Sequence, residues 1–103
     1  MIKLKDLVNE RSLVGDEYYG TAYLNYPVRR DGTIDLYRSV EKDAHSSGKK
    51  YGIKKYDYYL IIRDTGRPGY VVDTNTHILD KAGRWAQRYI KRKLGGTGKE
   101  RFL

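Results

Sequence analysis

The spacing of apolar residues predicts a long amphipathic helix in the second half of the chain. Over residues 79–94, apolar side chains share one face of a helix that turns by about 100° per residue. They are Leu79, Ala82, Ala86, Tyr89, Ile90 and Leu94. Asp80 falls in the first turn, where a carboxylate suits the helix dipole, and Gly95-Gly96 provide a stop. Thr74-Asn75-Thr76 supplies candidate capping residues.

Two segments of the first half are shorter or less regular. Residues 2–10 carry Leu4, Leu7 and Val8 on one helical face, which predicts a short N-terminal helix. Residues 39–50 fit two interpretations. Ser39 caps a short helix that ends at Gly48, or the second part of the segment is a loop between strands.

Alternation of apolar and polar positions predicts two strands between these segments. Over residues 18–29 the period is two, as in a strand with one buried face. Pro27 indicates an edge or an end of this strand, because proline cannot donate to a β ladder. Asp31-Gly32 favours a type I′ hairpin turn, after which Ile34 and Leu36 resume the alternation.

A second hairpin follows, and it completes the predicted fold. Residues 56–63 have a densely apolar centre, which predicts a central strand that is covered on both faces. Residues 64–69 form a turn, and residues 70–73 return as a fourth strand. The fold class is therefore α+β: an antiparallel four-stranded sheet packed against the short N-terminal helix and the longer, basic C-terminal helix. We expect one domain over residues 1–96 and a flexible basic tail over residues 97–103.

The amino-acid composition excludes several classes of protein. The 103 residues are 39% hydrophobic and 33% charged, which is typical of a polar globular domain. The absence of cysteine excludes disulfides, thiolate catalysis and cysteine-ligated zinc. No apolar run approaches the roughly 20 residues of a membrane span. No apolar segment typical of a signal peptide follows Met1, so we expect no secretory signal. We expect a cytoplasmic protein that needs no cofactor.

The net charge of +8 is distributed unevenly. Residues 1–48 contain seven Lys or Arg against eight Asp or Glu, whereas residues 49–103 contain fourteen against five. On the predicted helix, the cations lie opposite the apolar face. They are Lys81, Arg84, Arg88, Lys91 and Arg92. A solvated helix face usually mixes Glu with its Lys and Arg, so this face favours an acidic partner.

A second group of cations is interleaved with tyrosine, of which the chain has eleven against one phenylalanine. The candidate contacts in this group are Lys54, Lys55, Tyr56, Arg63 and Arg67. Cations neutralise phosphates and aromatic rings stack on bases, although tyrosine is also an ordinary strand residue. We therefore predict a small non-enzymatic protein that binds nucleic acid, DNA or RNA, through the basic helix face and the Lys/Tyr-rich hairpin.

Two other functions fit the same sequence. A protein-interaction module, such as the small inhibitors, adaptors and assembly proteins of viruses and mobile elements, would bind an acidic protein through tyrosines and positive charge. A small metal-dependent nuclease would use Asp64, Asp73 and His77, but their spacing matches no established metal motif. We predict no catalytic residues and no metal site. The Ala-rich apolar helix face suits a sheet better than lipid, so we expect no membrane partner.

The order of elements resembles that of double-stranded RNA-binding domains, which run helix, three strands, helix. Those domains have a lysine cluster at the start of the last helix, where this chain has Asp80-Lys81-Ala82-Gly83. The extra strand and residues 39–50 also depart from that pattern. The resemblance is one of architecture, and it implies no activity for this chain.

Overall fold

The strands predicted from the sequence form one antiparallel sheet. The computed structural model describes residues 16–25, 31–40, 51–64 and 68–103. Their elements are β1 (Glu17–Asn25), β2 (Asp31–Arg38), β3 (Tyr58–Asp64), β4 (Tyr70–Asp73) and α1 (Leu79–Lys93). The strands lie in the order β1-β2-β3-β4, and each pairs antiparallel with the next. The predicted α+β class and its four-stranded sheet are thereby confirmed.

Part of the predicted fold lies outside the described residues. The predicted N-terminal helix over residues 2–10 belongs to this part, and so does most of the segment over residues 39–50. Among the described residues, no helix is long and apolar enough to cross a membrane.

Alternation along the strands directs one set of apolar side chains toward α1. The buried strand residues of this core are Ala22, Leu24, Ile34, Leu36, Tyr58, Leu60 and Ile62. The helix contributes Ala82, Ala86 and Ile90, which are fully buried and spaced by four residues along one helix face. Because alanine adds only a methyl group, the helix backbone can approach the sheet closely. The apolar face predicted for the helix is therefore the face that packs on the sheet, except at Leu79, which is 43% exposed.

The two ends of α1 are capped differently. The N-cap residue is Ile78, and no side chain caps the helix there. Thr74 Oγ1 instead donates to the carbonyl of Tyr58 at 2.7 Å, and Thr76 Oγ1 accepts from the N–H of Ile78 at 3.2 Å. The prediction that this segment caps the helix is wrong, because its hydroxyls bond to β3 and to the preceding turn. At the other end, Gly95 adopts a φ of 77° and ends the helix as predicted.

The central strand β3 is buried on both faces, as its apolar centre predicted. On the face away from α1, a second cluster contains Tyr37, Ile53, Tyr59 and Ile61. The rings of Tyr37 and Tyr59 stack with their centroids 5.7 Å apart. The hydroxyl of Tyr59 donates to Asp16 Oδ2 at 2.5 Å, so its polar end has a partner. These two tyrosines are core residues.

Two local predictions about turns and strand ends are wrong. Asp31-Gly32 forms no turn, because both residues belong to β2 and pair with β1. The connection between the two strands comprises residues 26–30, which lie outside the described residues. Tyr56 is not part of β3, which begins at Tyr58; its φ of 71° places it in the left-handed region, in the turn before the strand.

Residues 102 and 103 contact the outer edge of β1. The N–H of Leu103 donates to the carbonyl of Thr21 at 3.2 Å, and the N–H of Thr21 donates back to Leu103 at the same distance. Phe102 packs against the core. The neighbouring Gly20 has a φ of 124°, and a Cβ built there would lie 3.0 Å from the carbonyl oxygen of Leu103. A glycine is therefore required at this close approach.

Glu100 closes the turn that leads to this contact. Its carboxylate accepts from the N–H groups of Thr97 and Gly98, each at 2.9 Å. Burial alone would raise the pKa of Glu100, but these hydrogen bonds hold it below its ordinary value. Gln87 Nε2 donates to the carbonyl of Glu100 at 2.8 Å and ties the turn to α1. The flexibility expected for residues 97–103 stays a prediction.

Candidate functional site

Five cations of α1 form a continuous exposed surface, which we call the cationic face. Its members are Lys81, Arg84, Arg88, Lys91 and Arg92. They lie on the side of the helix opposite its buried residues, and they span about 16 Å from the first to the last. Within the described part of the chain, none of the five forms an ion pair, although Asp80 precedes Arg84 by one turn. All five charges are therefore presented to solvent, which is the arrangement that a polyanion requires.

One side of the cationic face continues into a pocket with aromatic walls, which we call the aromatic pocket. Its volume is about 250 Å³, and its lining residues are Trp85, Arg88, Tyr89, Arg92 and Lys93. The rings of Trp85 and Tyr89 stack with their centroids 5.4 Å apart and their planes inclined by 14°. Arg88 and Arg92 belong to both surfaces. Three cations therefore surround two stacked rings, and no described acidic side chain lines the pocket.

Tyr89 fixes the aromatic pocket to the sheet. Its ring packs against the hydrophobic core, and its hydroxyl is near that of Tyr70, the first residue of β4. Burial, together with the neighbouring Tyr70 hydroxyl, raises the pKa of Tyr89 to about 12. The phenol is neutral around pH 7, as tyrosine ordinarily is, and it adds no negative charge among the cations.

Trp85, Tyr89 and Lys93 were absent from the binding residues predicted from the sequence. Tyr89 counted there as a member of the apolar face. The sequence does contain a pattern that could have identified them. Trp85 and Tyr89 are spaced by four residues, and so are Arg88 and Arg92. Side chains with that spacing lie one turn apart on the same helix face, so two rings and two guanidinium groups form adjacent pairs.

The lysines predicted in the hairpin occupy a different part of the surface. Lys54, Lys55 and Tyr56 are exposed in the turn before β3, and the neighbouring Ile53 is buried on the sheet face away from α1. The Tyr56 ring has Lys55 Nζ 5.2 Å from its centroid and the guanidinium carbon of Arg38 5.5 Å from it. These are cation–π contacts. Among the described residues, no hydrogen bond, ion pair or ring contact joins this group to α1.

Arg63 is engaged in a contact within the protein. It follows Ile61 by two positions on β3, so it lies on the sheet face away from α1. Its NH1 donates to Asp35 Oδ2 at 2.6 Å, and the Asp35 side chain is 1% exposed while that of Arg63 is 42% exposed. Thr21 Oγ1 donates to the other carboxylate oxygen at 2.6 Å. The structure thus separates Arg63 from the cationic face, and Arg67 lies outside the described residues.

The residues considered for a nuclease form no cluster in the described part of the chain. Asp73 Oδ1 accepts from the N–H of Asn75 at 2.8 Å, which closes a turn after β4. His77 is exposed in the segment that leads to α1. Among the described residues, no group of three or more His, Asp or Glu could hold a metal ion.

Comparison with known proteins adds no family assignment. Models of protein families, curated proteins and solved structures were searched, and none matches this chain. The functional inference therefore rests on the cationic face and the aromatic pocket.

Proposed function

We propose that this protein is a non-enzymatic binder of nucleic acid, and that the cationic face contacts the phosphate backbone. The observation that carries the proposal is the solvent exposure of all five cations on one side of a helix whose other side is packed on the sheet. The length of the face, about 16 Å, corresponds to roughly five nucleotides of one strand of B-form DNA. Phosphate contacts of this kind give affinity and orientation without reading sequence.

Two charge-matched variants test whether the cationic face is responsible for binding. Lys81→Ala/Lys91→Ala removes two exposed lysines from the face, and Lys54→Ala/Lys55→Ala removes two exposed lysines from the turn before β3. Both variants lower the net charge equally. Affinity is measured across a salt series for single- and double-stranded DNA and RNA oligonucleotides of one length. Circular dichroism establishes that both variants are folded.

The variant of the face is expected to bind more weakly than its control. Loss of two phosphate contacts lowers the slope of log affinity against log salt by about 1.4 for a single strand and about 1.8 for a duplex. At about 0.1 M salt this corresponds to roughly a 25- to 60-fold loss of affinity. Equal losses in the two variants would show that total charge determines binding. If none of the oligonucleotides binds with an affinity that falls as salt rises, the proposal is refuted.

A protein-interaction module is the second candidate, and exposed tyrosines favour it. They are Tyr18, Tyr23, Tyr51, Tyr56 and Tyr70. Tyrosine is enriched in protein interfaces, and the positive surface would complement an acidic patch on an inhibited or assembled partner. Affinity capture from a nuclease-treated extract separates the two candidates. A protein retained after removal of nucleic acid supports this function, whereas loss of all partners on nuclease treatment supports the first.

A further inference from the structure

We propose that the aromatic pocket stacks an unpaired base of a single-stranded nucleic acid, with the flanking phosphates on Arg88 and Arg92. This inference rests on the proposed function and makes it more specific. The cationic face alone would bind single and double strands alike. The aromatic pocket would add a preference for strands whose bases are free.

The aromatic walls provide the surface on which a base stacks. The rings of Trp85 and Tyr89 are already stacked on each other, with their planes inclined by 14°, so a base can extend this stack on an outer ring face. Both rings also pack against the hydrophobic core, which holds them against the sheet. The volume of about 250 Å³ lies below the roughly 300 Å³ at which pockets for drug-sized molecules begin, and it suits one ring system. Stacking of this kind tolerates any sequence, since every base has a π face.

The charges around the aromatic pocket indicate that its ligand is an anionic chain rather than a neutral aromatic molecule. Arg88, Arg92 and Lys93 bring three cations to the rim of the rings. A strand that leaves the pocket also continues along the helix toward Arg84 and Lys81. A base in a duplex reaches the wall only after it is unpaired and unstacked, at a cost of a few kcal/mol. A single strand can therefore stack a base on the rings and place its phosphates on the cations at the same time.

Fluorescence gives a direct test, because Trp85 is the single tryptophan of the chain. Three probes are titrated: a single-stranded oligonucleotide, an abasic strand of equal length, and a duplex of the same sequence. We expect the strand with bases to quench Trp85 and to bind about 5- to 150-fold more tightly than the abasic strand. The abasic strand and the duplex are expected to bind through the cationic face without quenching.

The outcomes separate this inference from the function on which it rests. Equal affinity of the abasic and the normal strand, or equal quenching by the duplex, overturns base stacking and leaves phosphate binding intact. An acidic peptide is titrated as a fourth probe, and equal quenching by this peptide also overturns base stacking. Failure of all three nucleic-acid probes to bind overturns both proposals.

A pair of substitutions at Trp85 provides the second test, with affinity measured on a labelled oligonucleotide. Trp85→Phe retains a ring, whereas Trp85→Leu retains only apolar volume. We expect the leucine variant to lose about 5- to 150-fold in affinity for the normal strand and the phenylalanine variant to lose much less. Binding of the abasic strand is expected to be unchanged in both. Because Trp85 also packs against the core, equal losses for both strands would assign it a structural role and overturn the inference.

Discussion

Replacement of Arg63 by alanine is expected to destabilise the fold and to leave nucleic-acid binding unchanged. The Asp35 carboxylate is buried, with 1% of its side chain exposed, and Arg63 NH1 donates to it at 2.6 Å. Hydrogen bonds to charged groups contribute about 1.5–3 kcal/mol. Since the Arg63 side chain is 42% exposed, solvent screens the pair and the expected loss is about 2 kcal/mol, toward the lower end of that range. Thr21 still donates to Asp35 in the variant.

The measurement is urea unfolding, analysed for its midpoint and slope. A loss of about 2 kcal/mol corresponds to a fall in Tm of roughly 8–16 °C for a domain of this size. Arg63→Met serves as the control, because methionine retains most of the apolar stem without the charge. Recovery of stability in the methionine variant would attribute the effect to stem packing. A loss below about 0.5 kcal/mol, or weaker binding like that expected of Lys81→Ala/Lys91→Ala, would refute the reasoning.

Two further predictions concern the contact between β1 and residues 97–103. Gly20→Ala is expected to cost about 1–3 kcal/mol in urea unfolding, because its Cβ meets Leu103 at a φ of 124°. Gly52→Ala, with a positive φ and no atom within 4 Å, is the control, and an equal loss there would contradict the steric explanation. Glu100 has a lowered folded-state pKa, so its contribution to stability is present above the ordinary value of 4.5 and is lost as the pH falls through the folded value. Thermal unfolding of Glu100→Gln should therefore show a lower Tm than the parent at pH 7 and a diminishing difference in acid; a constant difference would contradict this.

The periodicity of apolar residues was sufficient to predict β3 and α1. The alternation in β3 and the helical repeat of α1 arise from the geometry of the backbone itself, so the residues that face the core are readable directly. Ala82, Ala86 and Ile90 are buried as expected. The central position of β3 followed from the apolar density of its centre, since a strand covered on both faces carries mainly apolar residues there.

Features that depend on contacts between residues distant in the sequence could not be predicted from local patterns. Asp31-Gly32 has a strong local turn signal, but the ladder to β1 holds both residues in extended backbone. The partner of Arg63 on β2 became evident only from the register of β2 and β3. Tyr89 packs against the core, as its place on the apolar face predicted. Its position beside Tyr70, by contrast, depends on where α1 lies over β4, which no local pattern specifies.

The two alanines that seat α1 on the sheet also affect the thermodynamics of any binding event. A helix held this closely keeps its backbone geometry in the free and the bound states, so the cationic face is preorganised. Association then orders only the outer parts of its side chains, at about 0.5–1.5 kcal/mol for each one immobilised. The conformational entropy lost on association falls mainly on the ligand, which must adapt its own shape to a row of cations whose backbone positions are fixed.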